Sequence, residues 1–325
     1  MAHVDAPLDA VAAQLAAILM GTSVELTEPE GTELDFESII QPRPLPEGIP
    51  APEVWAVDGG QALVADARCL RVFVTRASVV CYRAGSCSVE EEGELHAHLI
   101  GAGRLLGDGA VEGSAPDAPV DVNLLRDRAE WDSVASALER AVEGALVLLD
   151  GDLVPDWRLE SGLVDGLMEH ARLRGVVLAA VTKHSSLARG GAPLVGHLEK
   201  EAAATLGPRT RWWAPVGQTR PGGRWPPIQV VVARLDSDAR YAFRIDLPLD
   251  ADPEPVLAAM AAVSNDAAFP GYPYPLSVAD RLAACPGWLR ADAWLTLEEA
   301  LERAGVPAET RERAFDDRHR MMERA

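Results

Sequence analysis

Val54-Trp55-Ala56-Val57-Asp58-Gly59-Gly60-Gln61-Ala62-Leu63 runs four apolar residues into one carboxylate and two glycines. An apolar run of that length reads as a buried strand closed by a breaker. An ionised Asp at the end of a buried strand is costly unless something pairs it, and a divalent cation is a common functional partner. The glycines leave room for a backbone or a ligand to come close. The pattern recurs at Ala145-Leu146-Val147-Leu148-Leu149-Asp150-Gly151-Asp152-Leu153. A single Asp-Gly is also an ordinary turn dipeptide. Two of them, each closing a buried strand, point to carboxylates converging on one metal site, with two plain turns as the competing reading.

The chain has 325 residues, 48% of them hydrophobic, and a formal net charge of −20. That is enough for one large α/β domain or two smaller ones. The acidic balance argues against non-specific attraction to nucleic acid or anionic lipid, so a nucleic-acid role needs a local basic surface. Cys69, Cys81, Cys87 and Cys285 show no zinc spacing and read as reduced thiols. Met1 is followed by no signal-peptide pattern, and no apolar run reaches membrane-span length, so the expectation is a cytoplasmic protein.

Outward from Asp58, residues 8–20 carry an apolar stripe (Leu8, Val11, Leu15, Ile18, Leu19), a helix packed on the core or a dimer or partner contact. An acidic and Pro-rich stretch follows and reads as an arm or linker. Leu70–Thr75 and Ser78–Arg83 read as antiparallel neighbours of the first strand. The acidic run from Glu90 reads as a solvated face or a helix N-terminus. Residues 121–143 form a helix capped by Asp121 or Asn123, with Glu130 at the margin of its buried face. Leu146–Asp150, a helix over 158–173, and a strand from Val176 to Lys183 make a βαβ unit. Together these imply an α/β fold: a mixed sheet flanked by helices.

Residues 205–244 change character. Arg209, Arg211, Arg220, Arg224, Arg234, Arg240 and Arg244 are interleaved with Trp212, Trp213, Trp225, Tyr241 and Phe243. Phosphate neutralisation plus stacking platforms is what a single-stranded nucleic acid groove requires. The competing reading makes the aromatics core anchors and pairs the arginines with the excess acid. A helix over 254–264 follows, then Gly271-Tyr272-Pro273-Tyr274-Pro275 leads into a helix bearing Asp280, and the tail reads as two short helices broken near Pro307. P-loop, HExxH, GxSxG and GxGxxG motifs are absent.

In order, VDGG at Asp58, a helix bearing Glu130, LLDGDL at Asp150, AAVTK at Lys183 and GYPYPLSVAD at Asp280 resemble the NurA nuclease family over roughly residues 52–284. The resemblance implies an RNase H-like fold, with residues 1–51 as an N-terminal helix and arm and 285–325 as a C-terminal helical tail. It further implies a homodimer and a Mn²⁺- or Mg²⁺-dependent deoxyribonuclease of 5′–3′ exonuclease and single-strand endonuclease type. Partnership with a HerA-type hexameric translocase in DNA end resection and double-strand-break repair is implied as well. Asp58, Glu130 and Asp150 match the family's metal-binding acids, and Lys183 matches a family lysine. Asp280 stands where members often carry His, and Asp127 lies one turn from Glu130 as an alternative ligand. The expected mechanism places two ions among Asp58, Glu130, Asp150 and Asp280, which activate water and stabilise the departing oxygen. Arg209, Arg211, Trp212, Trp213, Arg220 and Arg224 are expected to hold the DNA strand. The rival readings are a catalytically silent dimeric adaptor of the translocase and a metal-dependent phosphohydrolase of small phosphoesters.

Overall fold

The structure, a computed structural model, describes residues 5–28, 33–102, 104–106, 119–159, 162–220 and 225–315. The chain opens with α1 (Asp5–Leu19) and the short strands β1 (Leu26–Thr27), β2 (Leu34–Phe36) and β3 (Arg43–Pro44). Two long strands follow, β4 (Val54–Asp66) and β5 (Leu70–Arg83), then β6 (Ser86–Glu92), β7 (His96–Gly101) and β8 (Arg104–Leu105). The middle alternates as α2 (Val122–Arg140), β9 (Leu146–Asp150), α3 (Leu163–Leu173) and β10 (Val177–Thr182). A small excursion, β11 (Ala188–Arg189) and β12 (Ala192–Pro193), precedes α4 (Leu194–Thr205). The strands β13 (Trp212–Thr219), β14 (Ile228–Arg234) and β15 (Phe243–Pro248) complete the sheet. Four helices close the chain: α5 (Pro253–Ala261), α6 (Tyr274–Ala283), α7 (Gly287–Arg303) and α8 (Ala308–Phe315).

Twelve of these strands form one mixed sheet in the order β2-β13-β14-β15-β10-β9-β4-β5-β7-β8, with β3 beside β13 and β6 beside β5. The β4–β9 and β9–β10 pairs are parallel, the first connected through β5 to β8 and then α2 and the second through α3, and the remaining pairs are antiparallel. This is an α/β fold of RNase H-like type. Its central strands are buried on both faces, which is why they read as continuous apolar runs. Trp55, Val57, Val147 and Leu149 pack toward the helices α2 and α3, whereas Val54, Ala56, Leu146 and Leu148 pack toward α5 and α6. Asp58 and Asp150 continue the second set by strand alternation, so both carboxylates emerge on the α6 face.

The structure departs from the sequence reading at several places. Asp58 does not end its strand: β4 runs on through Gly59 and Gly60 to Asp66. Leu70–Arg83 is one strand of 14 residues, because it must pair the whole length of β4. The acidic run from Glu90 lies in and beyond the exposed strand β6. The acidic, Pro-rich stretch is not a free arm, since Leu34–Phe36 extends the sheet along β13 and Leu34, Ile40 and Leu45 are buried. Helix α2 stops at Arg140, three residues early, where Ala141 turns extended. Helix α3 begins at Leu163 because Arg158 is tied down before it, bonded to Asp156, Asp121 and the Pro119 carbonyl. Of the N-terminal helix, Leu8, Val11, Leu15, Ile18 and Leu19 all stand exposed, so the stripe does not pack on the core. None of the described helices is long and apolar enough to cross a membrane.

Candidate metal centre

The site forms where two parallel strands part. The last β4–β9 rung is Val57–Leu149, after which β9 stops at Asp150 while β4 continues with β5 alone. The next residues on each strand are Asp58 and Asp150, and the open edge beside them admits side chains from both faces of the sheet. Asp280 descends from α6, and ligand atoms of Asp58, Asp150 and Asp280 lie within 4.8 Å of one another. Glu130 arrives from the opposite face on α2, which Asp121 caps through the Leu124 amide at 3.0 Å. It is 7% exposed and passes over Gly59, where any β-carbon would collide with its carboxylate. Gly60 has the matching role against α6, since a β-carbon there would strike the Ala283 carbonyl. The two glycines are therefore demanded by close approach on both sides of one strand.

The electrostatics are those of a cation site. Asp58 is 8% exposed, and one of its oxygens accepts the Gly59 amide at 2.7 Å. No basic group pairs with it among the described residues. Burial, together with the neighbouring Asp150 and Asp280 charges, pushes the Asp58 carboxyl up to about 8, against the opposing Gly59 hydrogen bond. Burial raises Glu130 well above the usual carboxylate range, although Arg126 at 3.1 Å opposes the shift. Lys183, directly after β10, places Nζ 2.6 Å from Asp150 and 3.1 Å from Asp280. Burial works against its charge, but those two carboxylates outweigh burial and raise its pKa. Four acids against one lysine and one arginine leave an excess of negative charge that divalent ions would neutralise, and carboxylate oxygens are the donors Mg²⁺ and Mn²⁺ prefer. The residues present fit such ions.

No protein-family model matches this chain, and no curated protein matches it. Among solved structures, the NurA nuclease from Sulfolobus solfataricus superposes with a TM-score of 0.58 at 14% identity, over 93% of this chain and 95% of that one. This chain has a NurA-like fold. The catalytic domain of human endonuclease V is also similar, at a TM-score of 0.38 and 15% identity over 94% of this chain and all of that one. A Ciona intestinalis endonuclease V complexed with inosine-containing DNA gives a TM-score of 0.39 at 10% identity, over 76% and 90% of the two chains.

Within the NurA-like fold, Asp58, Asp150, Asp280 and Lys183 come together, and Glu130 lies outside that cluster, paired with Arg126 but near enough to feel the Asp58 and Asp150 charges. Asp127 turns away, paired with Arg126 at 2.8 Å and neighboured by Asp156 and Arg158, so the geometry favours Glu130 over it. The expected strand-binding residues do not form a groove. Trp212 and Trp213 are 1% and 6% exposed and enter the two cores on opposite faces of β13, so neither offers a stacking surface. Arg220 is held by Asp35 at 2.7 Å, and Arg244 lies buried against Asp246 at 2.8 Å. Arg209 is exposed and Arg211 half-buried, with Glu47 4.0 Å away; Arg224 lies outside the described residues. Three strands separate β13 from β9, so β13 stands about 19 Å from the acids at a strand spacing of about 4.8 Å.

One group escaped the sequence reading. Tyr272 is 2% exposed, its ring faces Lys183 (Nζ 5.3 Å from the centroid), and its hydroxyl borders the Asp150 carboxylate. Burial first, and then the Asp150 charge, raise the phenol, so it stays a neutral donor. The Gly271-Tyr272-Pro273 sequence marks a rigid turn, and Gly271 at φ +92° makes that turn, but nothing local announces the burial that gives the phenol its role.

Proposed function

We propose that this chain is a Mn²⁺- or Mg²⁺-dependent DNA nuclease that hydrolyses phosphodiester bonds in single strands or at processed ends. The convergence of Asp58, Asp150 and Asp280 at the parting of β4 and β9 carries this reading. Bound divalent ions, two in this reading, supply the positive charge and Lewis acidity that phosphodiester hydrolysis needs. Asp58, Asp150 and Asp280 hold them, and Glu130 completes the set from the α2 face. The Tyr272 hydroxyl is buried beside Asp150 without a hydrogen-bond partner among the described residues, so it would be available to donate to a carboxylate or a phosphate oxygen at the site. Lys183, paired with Asp150 and Asp280, would be freed were those carboxylates to hold ions, and its ammonium would then be placed to meet the phosphate and give a proton to the departing alkoxide. Arg209 keeps an exposed charge for a strand running along the sheet, and the half-buried Arg211 stands beside it.

The same reading makes the protein a homodimer that works with a HerA-type translocase in end resection. Helix α1 supports an assembly role: its exposed stripe carries no charged residue from Ala10 to Met20, an unusual surface in a chain of net charge −20. The phosphohydrolase reading draws no support from Asp152, whose carboxylate is turned to Asp246 and Arg244 instead of the three acids. The test is cleavage of labelled single-stranded DNA with Mn²⁺ and with EDTA. Wild-type protein cuts only with Mn²⁺, and Asp58→Ala stays folded but loses cleavage. Undiminished cleavage by Asp58→Ala refutes the assignment, and turnover of a chromogenic phosphoester without DNA cleavage redirects it to small phosphoesters.

A further inference from the structure

Of the three clustered aspartates, Asp280 is the one the sheet does not position. It stands on α6, its side chain 57% exposed, and the residues that seat α6 on the sheet include the small Ala279 and Ala283 beside Leu276. Small apolar residues bury area without fixing how far a helix slides or turns, since dispersion and burial are not directional. One residue of slippage would rotate Asp280 by about 100° and shift it about 1.5 Å. Something directional has to set the register.

Two polar side chains of β5 supply it. Ser78 is fully buried, and its hydroxyl donates to the Ala279 carbonyl at 2.7 Å, immediately before Asp280. Arg76 is 5% exposed and donates from Nε to the Ala283 carbonyl at 3.2 Å and from Nη2 to the Ala284 carbonyl, while Nη1 meets Glu92. The Ala283 and Ala284 carbonyls belong to the helix end, where acceptors lack intrahelical partners and the macrodipole favours a cation, while the Ala279 carbonyl lies one turn earlier and takes the Ser78 hydroxyl as an added donor. The placement is not scattered: Ser78 pairs across the ladder with Asp58, and Arg76 pairs with Gly60. One rung thus carries a ligand and a donor, and two rungs on, on the same face, Gly60 and Arg76 supply the gap that admits Ala283 and the cation that holds it. Burying an arginine and a serine in a strand that continues as Val79-Val80-Cys81 costs desolvation that apolar residues would avoid.

We infer that Arg76 and Ser78 are positioning residues, a clasp that fixes the register of α6 so that Asp280 meets Asp58 and Asp150. This rests on the metal-dependent reading of the site. It is tested in the full-length protein with Ser78→Ala, Arg76→Met, Arg76→Lys and Asp280→Asn, by two measurements that need no turnover. Free Mn²⁺ is followed by its paramagnetic resonance signal, and amide exchange is followed over residues 279–284 in EDTA. Ser78→Ala and Arg76→Met are expected to weaken Mn²⁺ binding about tenfold, and Ser78→Ala adds nothing once Asp280→Asn is present, the non-additivity of groups acting through one another. Exchange over 279–284 rises about tenfold in both variants as the helix end loosens, and Arg76→Lys restores part of each loss. Wild-type Mn²⁺ affinity in Ser78→Ala and Arg76→Met, with Asp280→Asn weakened, overturns the clasp and leaves the metal site standing. Mn²⁺ binding by wild type no tighter than by Asp58→Asn sinks the metal reading and this inference with it, even where the exchange data show the helix loosened. If Arg76→Met does not fold, the smaller Ser78→Ala change decides.

Discussion

The Lys183 ammonium lies 2.6 Å from the Asp150 carboxylate and also reaches Asp280 at 3.1 Å, so one cation bridges a ligand from the sheet and a ligand from a helix. Without metal it offsets part of the charge that would otherwise force those acids apart. A divalent ion entering the site competes with it for the same oxygens. Lys183→Met should therefore bind Mn²⁺ about tenfold more tightly, a change of about 1.4 kcal/mol, the scale of one charge pair at partial exposure. Turnover should fall about 100-fold, the usual range for losing a positioned proton donor. Calorimetric Mn²⁺ titration beside single-turnover cleavage checks both; weaker Mn²⁺ binding in this variant contradicts the competition.

Asp58 links stability to pH. Its carboxyl titrates at about 8 in the fold and near 3.8 when solvated, because burial and Asp150 both disfavour the charge. The folded state keeps a proton that the unfolded chain releases, so the contribution is fully present below about pH 4 and is lost as pH rises through about 8. Metal-free protein should melt at progressively lower temperature between pH 4 and pH 8, by an amount corresponding to a few kcal/mol. Asp58→Asn cannot ionise and should lack most of this slope, melting above wild type at pH 8 in EDTA. Parallel curves for the two proteins across that range would exclude the linkage.

What the sequence disclosed and what it concealed follow from range. Asp58, Asp150 and Lys183 were legible because each is a charged residue at a defined place on an apolar strand, and neighbouring parallel strands bring such positions together. Gly59 and Gly60 read as a stop because glycine is a local breaker, yet their cause is tertiary: Glu130 on one side, Ala283 on the other. Trp212 and Trp213 looked like stacking platforms because a strand buried on both faces shows no alternation, and nearby arginines completed a false pattern. Leu34, Ile40 and Leu45 were hidden by the acids and prolines around them, although the sheet edge along β13 takes up that stretch. Tyr272 and Arg76 gain their roles from partners that sequence proximity does not reveal; Arg76 lies 207 residues from Ala283.

The burial of Trp212 and Trp213 separates stability from DNA binding. Trp212→Ala or Trp213→Ala removes an aromatic from a packed core and should cost about 3–5 kcal/mol, seen as a lowered denaturant midpoint. Arg209→Ala sits at an exposed position and should leave stability within about 0.5 kcal/mol. In the proposed nuclease it should shift single-strand affinity and reduce the salt dependence of binding by roughly 0.7 in log–log slope. A tryptophan variant that keeps its midpoint yet loses DNA affinity would restore the stacking role that the structure removes.

Gly59 and Gly60 make opposite demands on the same strand, and alanine at each should fail differently. At Gly59 the added methyl meets the Glu130 carboxylate, the far end of a flexible side chain that can swing aside. Gly59→Ala should fold with a loss of about 1 kcal/mol or less while weakening Mn²⁺ binding, because Glu130 is driven from the Asp58 side. At Gly60 the methyl meets the Ala283 carbonyl, which is backbone and is also gripped by Arg76. Nothing there yields without moving α6, so Gly60→Ala should cost about 1–3 kcal/mol, the range for overpacking. Melting and Mn²⁺ titration on the two variants check the contrast. If Gly59→Ala proves the less stable and Gly60→Ala keeps wild-type affinity, Glu130 and α6 are not held against β4 as described.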